Sequence, residues 1–227
     1  MIEEGLRPDN PARQTRAARA SEPTVHRLTL EETSRFLAAA WAGSERRIAY
    51  LGVCAGLRRN EMRLLRGRHF AREGWIWIPP ELAKGGRERW VPVIGDLEPV
   101  VDDIRETVGP EEYVLPATVW VASGRGIRPV PAPERPCDAK TIWRAVRRIG
   151  RRAGIATDVH PHLLRHAFAE HVVRRAGLRV AQALLGHATI QTTEGYLAKP
   201  SLDELAHAAA TVTFRAAADR LDRPDAA

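Results

Sequence analysis

Two short stretches of this 227-residue chain concentrate side chains able to handle a phosphate group. The first is His160-Pro161-His162-Leu163-Leu164-Arg165-His166. Spacings of three and four put His162, Arg165 and His166 on adjoining faces of one helix, with Pro161 suited to its first turn. Leu164, Phe168 and Val172 form the apolar stripe behind them. Two histidines one turn apart invite a metal, but the guanidinium between them would repel a cation. Arginine with imidazole suits an anion instead, because both can donate hydrogen bonds to phosphate oxygens. The second stretch is Leu184-Leu185-Gly186-His187, followed by Thr192, Thr193 and Tyr196. Tyr196 stands nine residues after His187 and is one of three tyrosines, with Tyr50 and Tyr113. A phenol has a reference pKa of about 10, so attack near neutral pH needs neighbours that stabilise phenolate or take its proton. An arginine and histidine pocket would supply that help.

Basic charge surrounds these residues. From Arg144 to Arg175 there are eight arginines against Asp158 and Glu170. Arg144, Arg147, Arg148, Arg151 and Arg152 recur at helical spacing as one basic stripe, either a solvated helix face or a surface that tracks phosphates. Over the whole chain 35 Lys and Arg oppose 28 Asp and Glu, a net charge of +7. Such a balance attracts polyanions, nucleic acid first. Only Lys84, Lys140 and Lys199 are lysines, a skew that GC-rich coding also produces. Two cysteines, Cys54 and Cys137, exclude a disulfide framework or a cysteine-rich zinc site. No apolar run reaches membrane-spanning length and no signal peptide leads the chain, so a soluble protein of the cytoplasm is expected.

The elements that must position these residues follow from period and punctuation. Residues 1–25 are polar and Arg/Ala-rich, broken by Pro8, Pro11 and Pro23, and read as a linker or remnant. Thr29 with Glu32 forms a capping box that opens the first helix. A second helix is expected over 45–55 and a third from near Asn60. Trp75–Ile78 and the run through Trp90, Val91 and Val93 alternate as strands, with Gly85-Gly86 as the turn signal between them. A helix over 96–107 and a short apolar stretch at 113–115 follow. Residues 123–136, rich in proline and glycine, read as irregular. From Asp138 the chain reads helical, with breaks at Gly154, His160-Pro161, Gly177, Gly186 and Pro200. The expected class is mostly α with a small antiparallel β-sheet (α+β).

In this order the boxes resemble the catalytic signature of the tyrosine recombinases, the phage integrase family. His160–Phe168, Leu184–His187 and Thr192–Tyr196 carry the resemblance. Upstream, Gly56-Leu57-Arg58-Arg59-Asn60-Glu61 is similar to the family's first arginine box, and Lys84-Gly85-Gly86-Arg87-Glu88-Arg89-Trp90-Val91-Pro92-Val93 to its lysine-bearing hairpin. Each box alone is common; five in family order, over Leu28 to Leu197, are not.

The resemblance implies the fold and roles of a DNA breaking and rejoining domain over residues 26–227. Arg58 and Arg165 would clamp the non-bridging oxygens of a phosphodiester, with His187 as a further donor. His162 would assist proton transfer to or from the nucleophile Tyr196, and Lys84 would protonate the departing 5′ oxygen. Glu61 would orient Arg58, and His166 would support the site from a packing position. No metal or nucleotide cofactor is implied. The partners implied are double-stranded DNA and further copies of the chain, a tetramer on synapsed DNA, joined by an exchange helix at about 200–218. Leu202, Leu205, Ala206, Ala209 and Phe214 would form its apolar face. Family members usually carry an N-terminal core-binding domain, which 25 leading residues cannot form, although Asn10-Pro11 resembles the end of one. Two alternatives share these features: a truncated DNA-binding and assembly module without catalysis, and a type IB topoisomerase.

Overall fold

Apolar residues at helical spacing from Leu28 to Leu185 collapse into one core, around which short helices are stacked. The computed structural model describes residues 27–124, 126–186 and 202–210. Helix α1 (Leu30–Ala38) begins at the expected capping box: Thr29 Oγ1 accepts from the Glu32 N–H at 3.1 Å, and Glu32 Oε2 accepts from the Thr29 N–H at 2.9 Å. Helix α2 (Ser44–Val53) runs through the middle, with Ile48, Ala49, Leu51 and Val53 buried. The short α3 (Arg59–Leu64) follows, then a single 3-10 turn over Gly67–Phe70.

Strands β1 (Trp75–Ile78) and β2 (Arg89–Pro92) pair antiparallel with Trp77 opposite Trp90, and those two rings stack. Ile76, Ile78 and Val91 point into the core. The connection is longer than a two-residue hairpin. It turns at Pro79-Pro80 and again at Ala83–Gly86, where the Gly86 N–H donates to the Ala83 carbonyl at 3.0 Å. Gly85 and Gly86 hold φ of 97° and 67° there, a backbone that glycine adopts without a Cβ clash. Lys84 is thereby exposed on a tight turn.

Helix α4 (Glu98–Thr107) is preceded by a 3-10 turn at Gly95–Leu97. Residues 123–136 depart from the irregular loop expected. Ser123 and residues 126–136 belong to a second antiparallel ribbon, β3 (Pro116–Ser123) and β4 (Gly126–Pro136). Proline punctuates a chain only where its missing N–H is needed. In β4, Pro129 and Pro131 fall two residues apart on one side of the strand, and the ladder runs through the residues between them.

Helix α5 (Ala139–Arg152) is N-capped by Asp138, whose Oδ1 accepts from the Lys140 N–H at 2.6 Å. Helix α6 (Pro161–Leu185) starts with proline in its first turn, is kinked at Gly177 and stops at Gly186 in the left-handed conformation. It packs across α2. Helix α7 (Leu202–Ala210) lies against α6 and β2 of its own chain, burying Leu205 and Ala209. Of the exchange helix expected at about 200–218, residues 202–210 form α7 and pack on their own domain. Ala209 there meets an apolar slot also lined by Val91, Phe168, Val172 and Leu184. Among the described residues no helix is long and apolar enough to cross a membrane.

Candidate functional site

A cleft of about 720 Å³ opens between the N-terminus of α3, the β1–β2 connection and the start of α6. Arg58, Lys84, His162 and Arg165 all line it, together with Glu81, Trp143 and His160. The four residues come from three separate parts of the chain, and folding brings them to one concave surface. His187 and Tyr196, with Thr192 and Thr193, lie outside the described residues.

Arg165 is 3% exposed and is held by two main-chain carbonyls. Its Nη1 donates to Gly56 O at 2.5 Å and its Nη2 to Leu185 O at 2.6 Å. Gly56 has φ of 61°, and a Cβ there would stand 2.3 Å from Phe168 Cδ1, so glycine is what allows its carbonyl to approach α6. Burial, and next the positive charge of Arg58, push the Arg165 guanidinium down to about 9.

Arg58 precedes α3. Its main-chain N–H donates to Glu61 Oε2 at 2.8 Å and its Nη1 to Glu61 Oε1 at 2.9 Å. Glu61 is 1% exposed. Burial alone would raise its carboxyl, but hydrogen bonds from Arg89 and the Arg89 charge, with Arg58, hold it below the ordinary carboxylate value. Glu61 therefore remains an anion that fixes two guanidiniums.

His162 and His166 are both exposed and meet edge to face, with ring centroids 4.4 Å apart. Partial desolvation, then the charges of His166 and Arg165, lower the His162 pKa below its usual 6.5. His166 is lowered by desolvation and then by His160 and Arg165. A neutral His162 at pH 7 can accept a proton. His166 is not in the cleft wall and bears on it through His162. His160 caps α6, its Nδ1 accepting from the Leu163 N–H at 3.3 Å.

The arginine stripe on α5 divides. Arg148 Nε donates to Glu45 Oε1 at 2.7 Å, and Arg152 bonds Glu45 and the Ala39 carbonyl while lying 3.9 Å over the Trp41 ring. Arg147 sits over Trp143 and pairs with Asp158 at 2.5 Å, without hydrogen-bond geometry at Nε. Arg144 and Arg151 are exposed, and none of the ion pairs among the described residues engages them. Three of the five arginines are thus tied into the domain itself.

The phage integrase family model matches residues 26–201, most of the chain. The chain belongs to the phage integrase family. Among its curated relatives, tyrosine recombinase XerD of Caulobacter vibrioides is 34% identical over 208 residues, covering 86% of this chain and 65% of that protein. A tyrosine recombinase of Thermosipho africanus is 29% identical over 201 residues, covering 85% and 64%. The chain spans under two thirds of the length of these relatives. Among solved structures, an integrase from mycobacterium phage Brujita superposes with a TM-score of 0.62 at 20% identity, over 93% of this chain and 66% of that one. A lambda integrase tetramer bound to a Holliday junction gives 0.61 at 22% identity, over 86% and 56%. A lambda integrase dimer bound to a COC′ core site gives 0.61 at 23%, over 83% and 66%. At these identities the likeness is one of fold. The fold is that of the integrase family's mostly α catalytic domain.

Within this family member one residue of consequence escaped the reading of the sequence. Arg89 on β2 is 5% exposed and donates to both Glu61 oxygens, at 3.0 and 2.6 Å, and through Nε to Leu184 O at 2.9 Å. It joins the lysine-bearing strand pair to the first arginine box and to the end of α6. The available signal was its phase: Arg89, Val91 and Val93 alternate along one side of the strand. An arginine in step with core-facing valines needs a buried partner.

Proposed function

We propose that this chain is the catalytic part of a site-specific DNA recombinase or integrase, cleaving and rejoining strands through a 3′-phosphotyrosyl intermediate. The observation that carries the reading is the cleft in which Arg58, Lys84, His162 and Arg165 converge. A phosphodiester seated there would place its non-bridging oxygens against two guanidiniums whose positions are already fixed, one by Glu61 and one by two carbonyls. Such preorganised charge favours the pentacoordinate state, which carries more negative charge than the substrate.

The reaction balances without an external energy source. The Tyr196 oxygen attacks phosphorus as its proton leaves toward His162. The bond from phosphorus to the 5′ oxygen breaks, and Lys84 supplies that oxygen with a proton. The phosphotyrosyl bond preserves the free energy of the phosphodiester, so a 5′ hydroxyl from another strand reverses the steps and reseals. Lysine suits the acid role because its ammonium can give up a proton and arginine's guanidinium holds on to its own. His187 would complete the donor set. Double-stranded DNA is the partner, and further copies of the chain would assemble on it, as lambda integrase does on a Holliday junction.

The test uses a library of nicked suicide duplexes with a randomised core, from which a cleaved 5′ fragment is lost and the adduct is trapped. The full chain should form a covalent protein–DNA species that maps to Tyr196, and Tyr196→Phe should form none. An adduct at Tyr50 or Tyr113, or an undiminished adduct in the phenylalanine variant, would overturn the assignment.

A further inference from the structure

The ribbon β3–β4 has two edges of opposite character. In an antiparallel pair, opposed residues alternately exchange main-chain hydrogen bonds or turn their N–H and C=O outward. Proline has no N–H to exchange, so Pro129 and Pro131, opposite Trp120 and Thr118, fall in outward-facing pairs. The outer edge of β4 is therefore blocked by proline at successive outward positions and cannot donate there to another strand. By the same alternation Thr118, Trp120 and Ala122 turn their N–H and C=O to the outer edge of β3. The sheet has two strands among the described residues, and no described residue outside the ribbon bonds these groups.

The side chains agree with the edges. Thr118, Trp120, Ala122, Ile127, Pro129 and Pro131 share one face and are all exposed, Trp120 to 70% and Ile127 to 72%. None is charged. From Tyr113 to Gly124 the chain carries no charged residue, although it holds 35 Lys and Arg overall. Exposed edge strands are usually protected by lysine, proline or a bulge, because an open edge templates pairing. Here the β4 edge is protected, and no described residue pairs with the β3 edge.

We propose that the β3 edge is the docking surface for a second copy of this chain, β3 pairing antiparallel with β3 across a two-fold axis to make a four-stranded sheet. An isologous contact brings the same patch of both copies together, so like charges must be absent from it. This uncharged edge satisfies that condition for two molecules of net charge +7. A DNA duplex is a poor occupant, since β3 and the exposed face offer its phosphates no cation. The size sets the strength. Eight residues at about 3.3 Å each give an edge about 26 Å long, which buries less than the roughly 800 Å² per partner of a standard interface. The dimer is therefore reversible. It requires no DNA, and it stands or falls independently of the function proposed above.

The experiment is sedimentation equilibrium of the full chain without DNA. The average mass should rise from 25.2 kDa toward twice that value as concentration increases through the micromolar range. Thr118→Pro removes only an outward N–H, so the ribbon and the melting temperature should persist while dimerisation weakens by an order of magnitude or more. Trp120→Lys, which installs the missing protective charge, should do the same. A wild-type chain that stays monomeric to its solubility limit would overturn the proposal. So would undiminished dimerisation in both variants. Dimerisation that appears only when residues after Ala210 are removed would assign the edge to the chain's own tail and also overturn it.

Discussion

Glu61→Gln isolates the charge on which the cleft is built. Glutamine has the shape of a protonated glutamate, so the substitution removes the negative charge and little else. Wild-type Glu61 accepts from Arg89 at 3.0 and 2.6 Å and from Arg58 at 2.9 Å while 1% exposed. Removing one partner of a buried ion pair costs about 3–5 kcal/mol, because the remaining charge is left without compensation. The amide oxygen still accepts one guanidinium bond, which puts the expected loss near the lower end, about 3 kcal/mol. For a domain of this size about 1 kcal/mol moves the melting temperature by about 2–4 °C, so Glu61→Gln should melt about 6–12 °C lower at pH 7.

The sign of the pH dependence follows from the same contacts. The folded carboxyl is held below its ordinary value of 4.5. Its stabilisation is thus fully present above about pH 4.5 and is lost as pH falls through the folded pKa, where the unfolded chain is already protonated. Calorimetric melting of both proteins from pH 7 to pH 3 should show two curves that converge on the acid side. Equal melting temperatures at pH 7, or a gap that persists undiminished at the acid end, would refute the claim that Glu61 acts as a charge.

Other outcomes follow from the same geometry. Arg89→Lys keeps the charge but loses the two-pronged contact, and should slow adduct formation with little change in DNA affinity, measured by single-turnover cleavage beside filter binding. Gly56→Ala forces a side chain into a left-handed backbone at a cost of about 1–2 kcal/mol and drives its Cβ against the buried Phe168 ring, so both the melting temperature and cleavage should fall, the latter because the carbonyl that holds Arg165 is displaced. Because the His162 pKa is lowered below 6.5, cleavage should hold at neutral pH and fall only on the acid side of 6.5, and His162→Gln should abolish that limb of the pH–rate profile. Arg144→Ala and Arg151→Ala should each flatten the logarithmic salt dependence of DNA binding by about 0.9, whereas Arg152→Ala should lower the melting temperature and leave that slope unchanged. Lys84→Ala should cut slowly on a natural phosphodiester and recover on a 5′-thio substrate, with equal defects on both refuting the acid role.

What the sequence disclosed, and what it withheld, divides by the range of the interaction. Thr29 with Glu32, Asp138 before α5 and Pro161 at the start of α6 are local devices, and each marks its helix within a residue or two. The Arg165 box was legible because side-chain type and local spacing carry it, and the Arg58 box through its resemblance to the family's first arginine box. The division of the α5 stripe was not, since the carboxylate that takes Arg148 and Arg152 is Glu45, about a hundred residues away in the chain. The β3–β4 ribbon was hidden for a different reason. Its prolines were counted as breakers, but their spacing of two is the strand period. Phase, rather than composition, held the information in both β4 and Arg89.

The buried contacts explain why the cleft needs three chain segments at once. Arg89 ties β2 to Glu61 and to Leu184 O, and Arg165 ties the neighbouring Leu185 O to Gly56. The end of α6, immediately before Gly186 and His187, is therefore gripped by two guanidiniums through consecutive carbonyls. Arg89 thus connects the β1–β2 pair, whose connection carries Lys84, both to Glu61 of the Arg58 box and to the end of α6. The cleft also holds like charges close together: Arg165, pushed down to about 9 by burial and by Arg58, remains charged at neutral pH at a cost. An anion between the two arginines relieves that repulsion, and one that gains negative charge during reaction relieves it further. On the function proposed above, the arrangement that makes the site costly to assemble would favour the transition state over the bound substrate.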